Sequence, residues 1–349
     1  MKTKQKPALR VLASALVVIL SLALLQRLLM PKYVDGIVEG AFVAEYYREV
    51  KDHDLLFVGD CEVYENFSPA VLWQDFGVNS YIRGSAEQYI FQSYYLLEDA
   101  FHYEKPKVVV FNIQSLQFSE AQSEAYNRMS LEGMRWSPTK VRAIFASMKE
   151  GEHFLDYLFP ILRYHTRWSQ LESTDVEYLF KTKSVSFNGY YMRVDAKPAE
   201  NVPKGRPLAD YSFGDNAWKY LDKMVELCEK EGVELVLIKA PSLYPYWYPQ
   251  WEAQVEQYAA QKGLPYINFL ELQEETGIDY RTDTYDGGLH MNLSGAEKLS
   301  RWLGEWLMEH TALTDRRAEP ELSARWEEKL AAYEAEKQRQ YEFYGIKKP

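Results

Sequence analysis

The chain has 349 residues, 47% of them hydrophobic, and a formal net charge of −11 at neutral pH. That length suits one α/β domain with an insertion or two small domains, and that apolar content excludes wholesale disorder. The acidic balance repels phosphate backbones and argues against nucleic acid as a partner. Cys61 and Cys228 are too few for a disulfide-stapled scaffold, and each sits in a segment with another expected role. The 27 tyrosines and 9 tryptophans suit a sugar- or lipid-facing surface as well as a core.

Lys2, Lys4, Lys6 and Arg10 precede the apolar run VLASALVVILSLALL, Val11 to Leu25. The run spans about 15 residues and reaches about 20 when Gln26 and Arg27 snorkel to the interface. No small-x-small cleavage site follows it, which favours an uncleaved anchor over residues 1–30 rather than a removed signal peptide. Basic residues ahead of the span stay cytoplasmic, so the expectation is a single-pass protein of the cell membrane with Lys32 onward outside.

After a short linker, LLFVGD (Leu55 to Asp60) reads as a buried parallel strand ending in a turn. NSYIRG (Asn79 to Gly84) predicts a second strand, and the apolar spacing of Ala86 to His102 predicts a helix. PKVVVFNI (Pro106 to Ile113) is a third strand, its uniform apolarity suited to a sheet covered on both faces. Alternation then stops, and residues 118–207 read as a mostly helical insertion, a cap. It resumes with a helix over Asn216 to Glu231, the strand VELVLIKAP (Val233 to Pro241), a helix over Trp251 to Lys262, the strand PYINF (Pro265 to Phe269), and a helix over Ser294 to His310. This order predicts a three-layer α/β/α fold with a parallel sheet, built from residues 31–117 and 208–312. The charged tail, residues 313–349, predicts a solvated or partner-binding helix.

Ligands of open parallel sheets gather beyond the C-terminal strand ends. Cys61, Gly84 and Asn112 fall at three such ends, and His290 lies in the loop before the helix that starts near Ser294. Four residues distant in sequence are thus expected on one rim.

These residues resemble the blocks of the SGNH, or GDSL-like, hydrolases. Gly59-Asp60-Cys61 is similar to that family's Gly-Asp-Ser, Gly84 to its second-block glycine, and Asn112 to its third-block asparagine; DGGLHMNLSGAEKL (Asp286 to Leu299) is similar to the last block. The resemblance covers roughly Asp54 to Asn112 and Val233 to His310. More narrowly, the chain resembles membrane-anchored bacterial members of the DltD-like and alginate-acetylation groups. It implies a flavodoxin-like sheet, acyl-ester hydrolysis or O-acyl transfer on a cell-envelope polysaccharide or teichoic-acid-like polymer, a membrane-bound O-acyltransferase as partner, and no cofactor. Cys61 would be the nucleophile, His290 the base and Asp286 its orienting carboxylate. The N–H groups of Cys61 and Gly84, with the Asn112 amide, would form the oxyanion hole.

The sequence departs from the family pattern in three ways. Cysteine replaces serine at 61, flanked by Asp60 and Glu62, whose charge opposes a thiolate. Gly287 stands three residues before His290, where relatives carry Asp, leaving Asp286 or Asp283 for that role, with Asp286 preferred. Asn112 lacks the family's neighbouring glycine. Two readings of Cys61 stand side by side: a thiol nucleophile, or a small buried thiol in a protein that lost activity and serves an acyltransferase as a binding subunit. His290 has an ordinary reading as a loop histidine, and Gly84 and Asn112 as turn residues. Asp60, Lys239 and the cluster Arg163, His165 and Arg167 are candidate substrate contacts; the ordinary reading of the cluster is a charged helix face. No metal is expected, since His53, His102, His153 and His165 lack ligand spacing.

Overall fold

The computed structural model describes residues 5–30, 32–33, 37–38, 40–180 and 184–346. Five strands, β1 (Leu55–Gly59), β2 (Ser80–Gly84), β3 (Val108–Asn112), β4 (Glu234–Lys239) and β5 (Tyr266–Asn268), form one sheet in the order β2-β1-β3-β4-β5. Every neighbouring pair is parallel. Around it, in chain order, lie α1 (Gln5–Leu29), α2 (Cys61–Tyr64), α3 (Pro69–Phe76), α4 (Ile90–Phe101), α5 (Glu124–Leu131), α6 (Pro138–Ser147), α7 (Phe154–Leu158), α8 (Ile161–Tyr164), α9 (Ser173–Phe180), α10 (Asp215–Glu231), α11 (Pro249–Lys262), α12 (Leu293–His310) and α13 (Pro320–Tyr344).

The period-2 alternation of strand side chains divides the apolar residues between two cores. Leu56, Val58, Val109 and Phe111 point to the face covered by α4, α10 and α11. Leu55, Phe57, Val108 and Val110 point to the face covered by α3, α12 and α13. The strands β1, β2 and β3 are buried along their whole length; the apolar runs of β1 and β3 require it, and β2 is buried with Arg83 paired to Asp99 at 3.1 Å. The result is the expected three-layer α/β/α sandwich. Register sets Gly59 opposite Gly84 and Val58 opposite Phe111, so the C-terminal ends of the central strands are level. Strand order reverses at β1 and β3, the switch point where open sheets leave a crevice.

Two expectations need adjustment. The helix predicted from Ala86 begins only at Ile90. Glu87 adopts a left-handed φ of 45°, and the Gln88 amide bonds back to the Arg83 carbonyl at 3.1 Å, so the first turn folds as a loop. The tail helix α13 is not merely solvated: it lies against the body through buried Leu322, Trp326, Tyr333 and Tyr341. Trp326 stacks on Trp73 with centroids 5.3 Å apart and donates from Nε1 to Asn79 at 3.0 Å. Spacings of four, seven and eight residues place these side chains on one helical stripe, a signal hidden among the charges.

Between β3 and α10 the cap is a chain of short helices, α5 to α9. α1 is long and apolar enough to cross a membrane, and its apolar window is uncovered by the rest of the protein.

Candidate functional site

The site begins where β1 ends. A Cβ on Gly59 would sit 2.4 Å from Val63 Cγ2, so glycine is needed for the chain to turn directly into α2. Asp60 caps that turn: its carboxylate accepts the Glu62 N–H at 3.1 Å and its carbonyl the Val63 N–H at 3.1 Å. Cys61 is therefore the first helical residue at the C-terminal edge of a central strand, half-buried, and it is a free thiol, as is Cys228.

His290 reaches the same place from the loop before α12. Asp286 Oδ2 accepts from His290 Nδ1 at 2.7 Å, while Asp286 Oδ1 accepts the backbone N–H groups of His290 at 2.9 Å and Leu289 at 3.2 Å. One carboxylate thus fixes both the ring and its own loop. Thr284 Oγ1 tightens that loop, donating to the His290 carbonyl at 2.7 Å and accepting the Gly288 N–H at 2.8 Å. Asp283, the alternative partner, is committed elsewhere: it bonds Lys298 at 2.6 Å and the Asp279 N–H at 2.8 Å.

The other ring nitrogen, Nε2, is buried and lacks a well-aligned hydrogen bond. Cys61 is close enough for the thiol and the imidazole to alter each other's proton affinity. Burial pushes the Cys61 thiol up to about 11, a rise that His290 opposes and that Asp60 and Glu65 reinforce. The imidazole behaves in the opposite sense. Burial disfavours its charged form, yet Cys61, Glu65 and Asp286 together hold its proton affinity well above the ordinary histidine range. The Asp286 carboxyl is lowered despite burial, because His290 bonds its charged form.

Four contributors escaped the sequence reading. Glu65 lies 3.7 Å from His290 Nδ1 and is bonded by the Tyr285 hydroxyl. Burial raises its carboxyl, against the pull of His290. It stands four residues after Cys61, one helical turn on, and that spacing was its signal. Tyr285 stacks on the His290 ring at 6.0 Å between centroids, with Arg193 4.6 Å from its own ring. Thr284, which tightens the His290 loop, completes the surroundings.

Behind Cys61 is a sealed polar cluster that corrects three expectations. Asn112 donates both amide hydrogens, to Asp60 at 3.2 Å and Glu62 at 3.1 Å, and accepts the Ala240 N–H at 3.1 Å. It has no donor left for an oxyanion. Lys239 is fully buried, bonding Glu62 at 3.2 Å and the Ala240 carbonyl at 2.7 Å, so it neutralises a buried carboxylate instead of meeting substrate. Asp60 is also enclosed; burial and the nearby Glu62 charge push its carboxyl up to about 7. Gly84 does lie at the rim: a Cβ there would approach the Gly59 carbonyl and Tyr64 to 3.2 Å.

The basic cluster of the cap makes its hydrogen bonds and ion pairs with other parts of the protein. Arg163 pairs with Glu124, and His165 Nδ1 bonds the Leu162 carbonyl at 2.8 Å. Arg167 grips the carbonyls of Leu29 and Met30 at 2.7 and 2.8 Å. These partners are the protein's own, which removes the motive for assigning the cluster to substrate. A groove of about 540 Å³ lined by Lys197, Tyr244, Asp286 and Gly287 adjoins the site, whereas a larger cavity of about 690 Å³ lies between the cap and α13, away from Cys61 and His290. Among the described residues no group of three potential metal ligands occurs.

No family model and no curated protein matches the chain. Among solved structures, one from Bacteroides fragilis, described as a candidate acylhydrolase, aligns over 76% of this chain and 94% of its own, at 12% identity and a TM-score of 0.37. The class the fold defines is a three-layer α/β/α protein with a Cys–His–Asp constellation at its switch point.

Proposed function

We propose that the chain is a membrane-anchored SGNH-like acyl-ester hydrolase or O-acyltransferase, working outside the cytoplasm on cell-envelope glycopolymers with cysteine in the place of serine. One observation supports it above the others: Asp286 holds His290 Nδ1 at 2.7 Å and leaves the buried Nε2 without a hydrogen bond, on a ring close enough to Cys61 for the two to alter each other's proton affinity. Transfer of the Cys61 proton to His290 yields thiolate beside imidazolium. The sulfur adds to the acyl carbonyl, and the oxyanion is met by the N–H groups of Cys61 and Gly84. Collapse expels the alkoxide, which takes the His290 proton and leaves a thioester on Cys61. His290 then removes a proton from water or from a polymer hydroxyl, which attacks the thioester and releases the thiol. A membrane-bound O-acyltransferase would supply the acyl group or share the polymer, and α1 would hold the site at the membrane.

Turnover of activated acyl esters by the full-length protein tests this. Wild type should hydrolyse them, and Cys61→Ala, His290→Ala and Asp286→Asn should each lose most of that rate. Equal turnover by wild type and Cys61→Ala would remove the enzymatic reading.

A second reading, a catalytically silent subunit of an acyltransferase, is favoured by the elevated thiol and the fully engaged Asn112 amide. It expects copurification with a multi-span membrane protein that survives Cys61→Ala.

A further inference from the structure

Among the described residues, α1 is covered at its C-terminal end, where α8, the 3₁₀ turn His165–Gln170 and α9 lie over Leu29. Hydrogen bonds to main-chain carbonyls hold the joint. Arg167 holds the Leu29 and Met30 carbonyls at 2.7 and 2.8 Å, and Arg27 Nε donates to the Tyr178 carbonyl at 2.9 Å. From Leu9 to Leu25 the helix is exposed, so a bilayer around it must end within about one helical turn, ~5 Å, of this joint.

The residues beside those contacts are large, apolar and uncovered. Trp168 follows Arg167 and is 72% exposed; Phe180 lies two beyond Tyr178 and is 84% exposed. Leu162 on α8 and Val176 on α9 are about half exposed, as are Leu155 on α7 and Phe159 just after it. Scattered apolar side chains are ordinary on a surface, but a concentration of them is not. Outside α1, 7 of the 16 exposed large hydrophobics among the described residues lie between Leu155 and Phe180. Aromatic and aliphatic residues at the end of a span are what the headgroup–acyl boundary accepts.

Resting on the anchor reading above, we infer that α7, α8, the 3₁₀ turn and α9 form a second membrane contact, seated in the outer boundary of the bilayer that α1 crosses. The occupant is lipid. This contact would give the domain a fixed orientation over the membrane instead of a swinging tether.

The test uses the full-length chain in phosphatidylcholine–phosphatidylglycerol proteoliposomes. Nitroxide labels are placed at Trp168→Cys, Phe180→Cys and Val17→Cys, with Val50→Cys on the exposed body, all in a Cys61→Ala background. Collisions with oxygen and with a water-soluble nickel chelate are compared. Labels at 17, 168 and 180 should favour oxygen, and the label at 50 the chelate. A lipid signal at 17 with chelate-accessible labels at 168 and 180 would overturn the inference and leave the anchor standing. A chelate signal at 17 as well would overturn both. Labels at 168 and 180 shielded from both reagents would mean a protein partner covers the face, which also overturns it.

Discussion

Alkylation of Cys61 across pH reads the charge state of the site directly. The thiol is pushed up to about 11 by burial, even with His290 pulling it down. At pH 8 such a thiol is roughly 0.1% thiolate, against about 24% for an ordinary cysteine near 8.5. That deficit is about 240-fold, of which the greater nucleophilicity of a more basic sulfur recovers roughly tenfold. The expected iodoacetamide rate at pH 8 is thus about 20-fold below that of a free cysteine, before any loss from restricted access. The rate should climb about tenfold per pH unit through pH 9. His290→Ala removes the cation that most favours the thiolate, so the rise should move to still higher pH. Mass spectrometry of the Cys61 peptide after timed quenching gives the profile, with buried Cys228 as the slow internal reference. A plateau reached below pH 8 would refute this picture of the pair, since it would require a thiolate already formed.

Other expectations follow from the same contacts. Glu65→Gln removes a charge that raises the imidazole, so the alkaline limb of ester turnover should shift to lower pH; an unmoved profile would exclude electrostatic coupling across 3.7 Å. Lys239→Met leaves the Glu62 carboxylate buried without its cation and should cost about 3–5 kcal/mol in urea unfolding. Asp60, raised in the fold, binds its proton more tightly there than in the unfolded chain. Its contribution therefore falls as pH rises from near 3.8 through about 7, and losing Lys239 extends that fall upward. The variant's deficit should be larger at pH 8 than at pH 5, and an equal deficit would contradict the sign. Trp326→Ala breaks the stack on Trp73 and the bond to Asn79 and should cost about 3–5 kcal/mol, whereas a solvated tail would show no change in melting.

The sheet was legible because uniformly apolar strands such as VVVF, alternating with helices, admit few other arrangements. The strand ends, read from the sequence, led to the expectation that Cys61, Gly84 and His290 share one rim. Asp286 was preferred over Asp283 without a decisive signal; the loop tightened by Thr284 brings the nearer carboxylate to Nδ1 and leaves the other to Lys298. What sequence patterning left hidden was pairing between buried polar groups. Asn112 stands at a strand end, as expected, but nothing in its neighbours reveals that Asp60 and Glu62 would take both its hydrogens. Lys239 in a strand-end position looked free to reach outward, and only the buried Glu62 explains why it stays inside. Arg167 looked like a ligand for an anion because its partners, the carbonyls of Leu29 at the end of α1 and of Met30 just after it, lie 138 and 137 residues away in the chain.

The central claim is that Cys61 carries an acyl group during turnover. Intact-mass measurement of full-length protein quenched in acid after mixing with an activated acyl ester at pH 8 to 9 addresses it most directly. One added acyl mass, mapped to Cys61 and absent from the Cys61→Ala chain, is expected, with the adduct forming more slowly in His290→Ala. An unmodified Cys61 at every pH, while esters are still consumed or while no ester is touched at all, would contradict it.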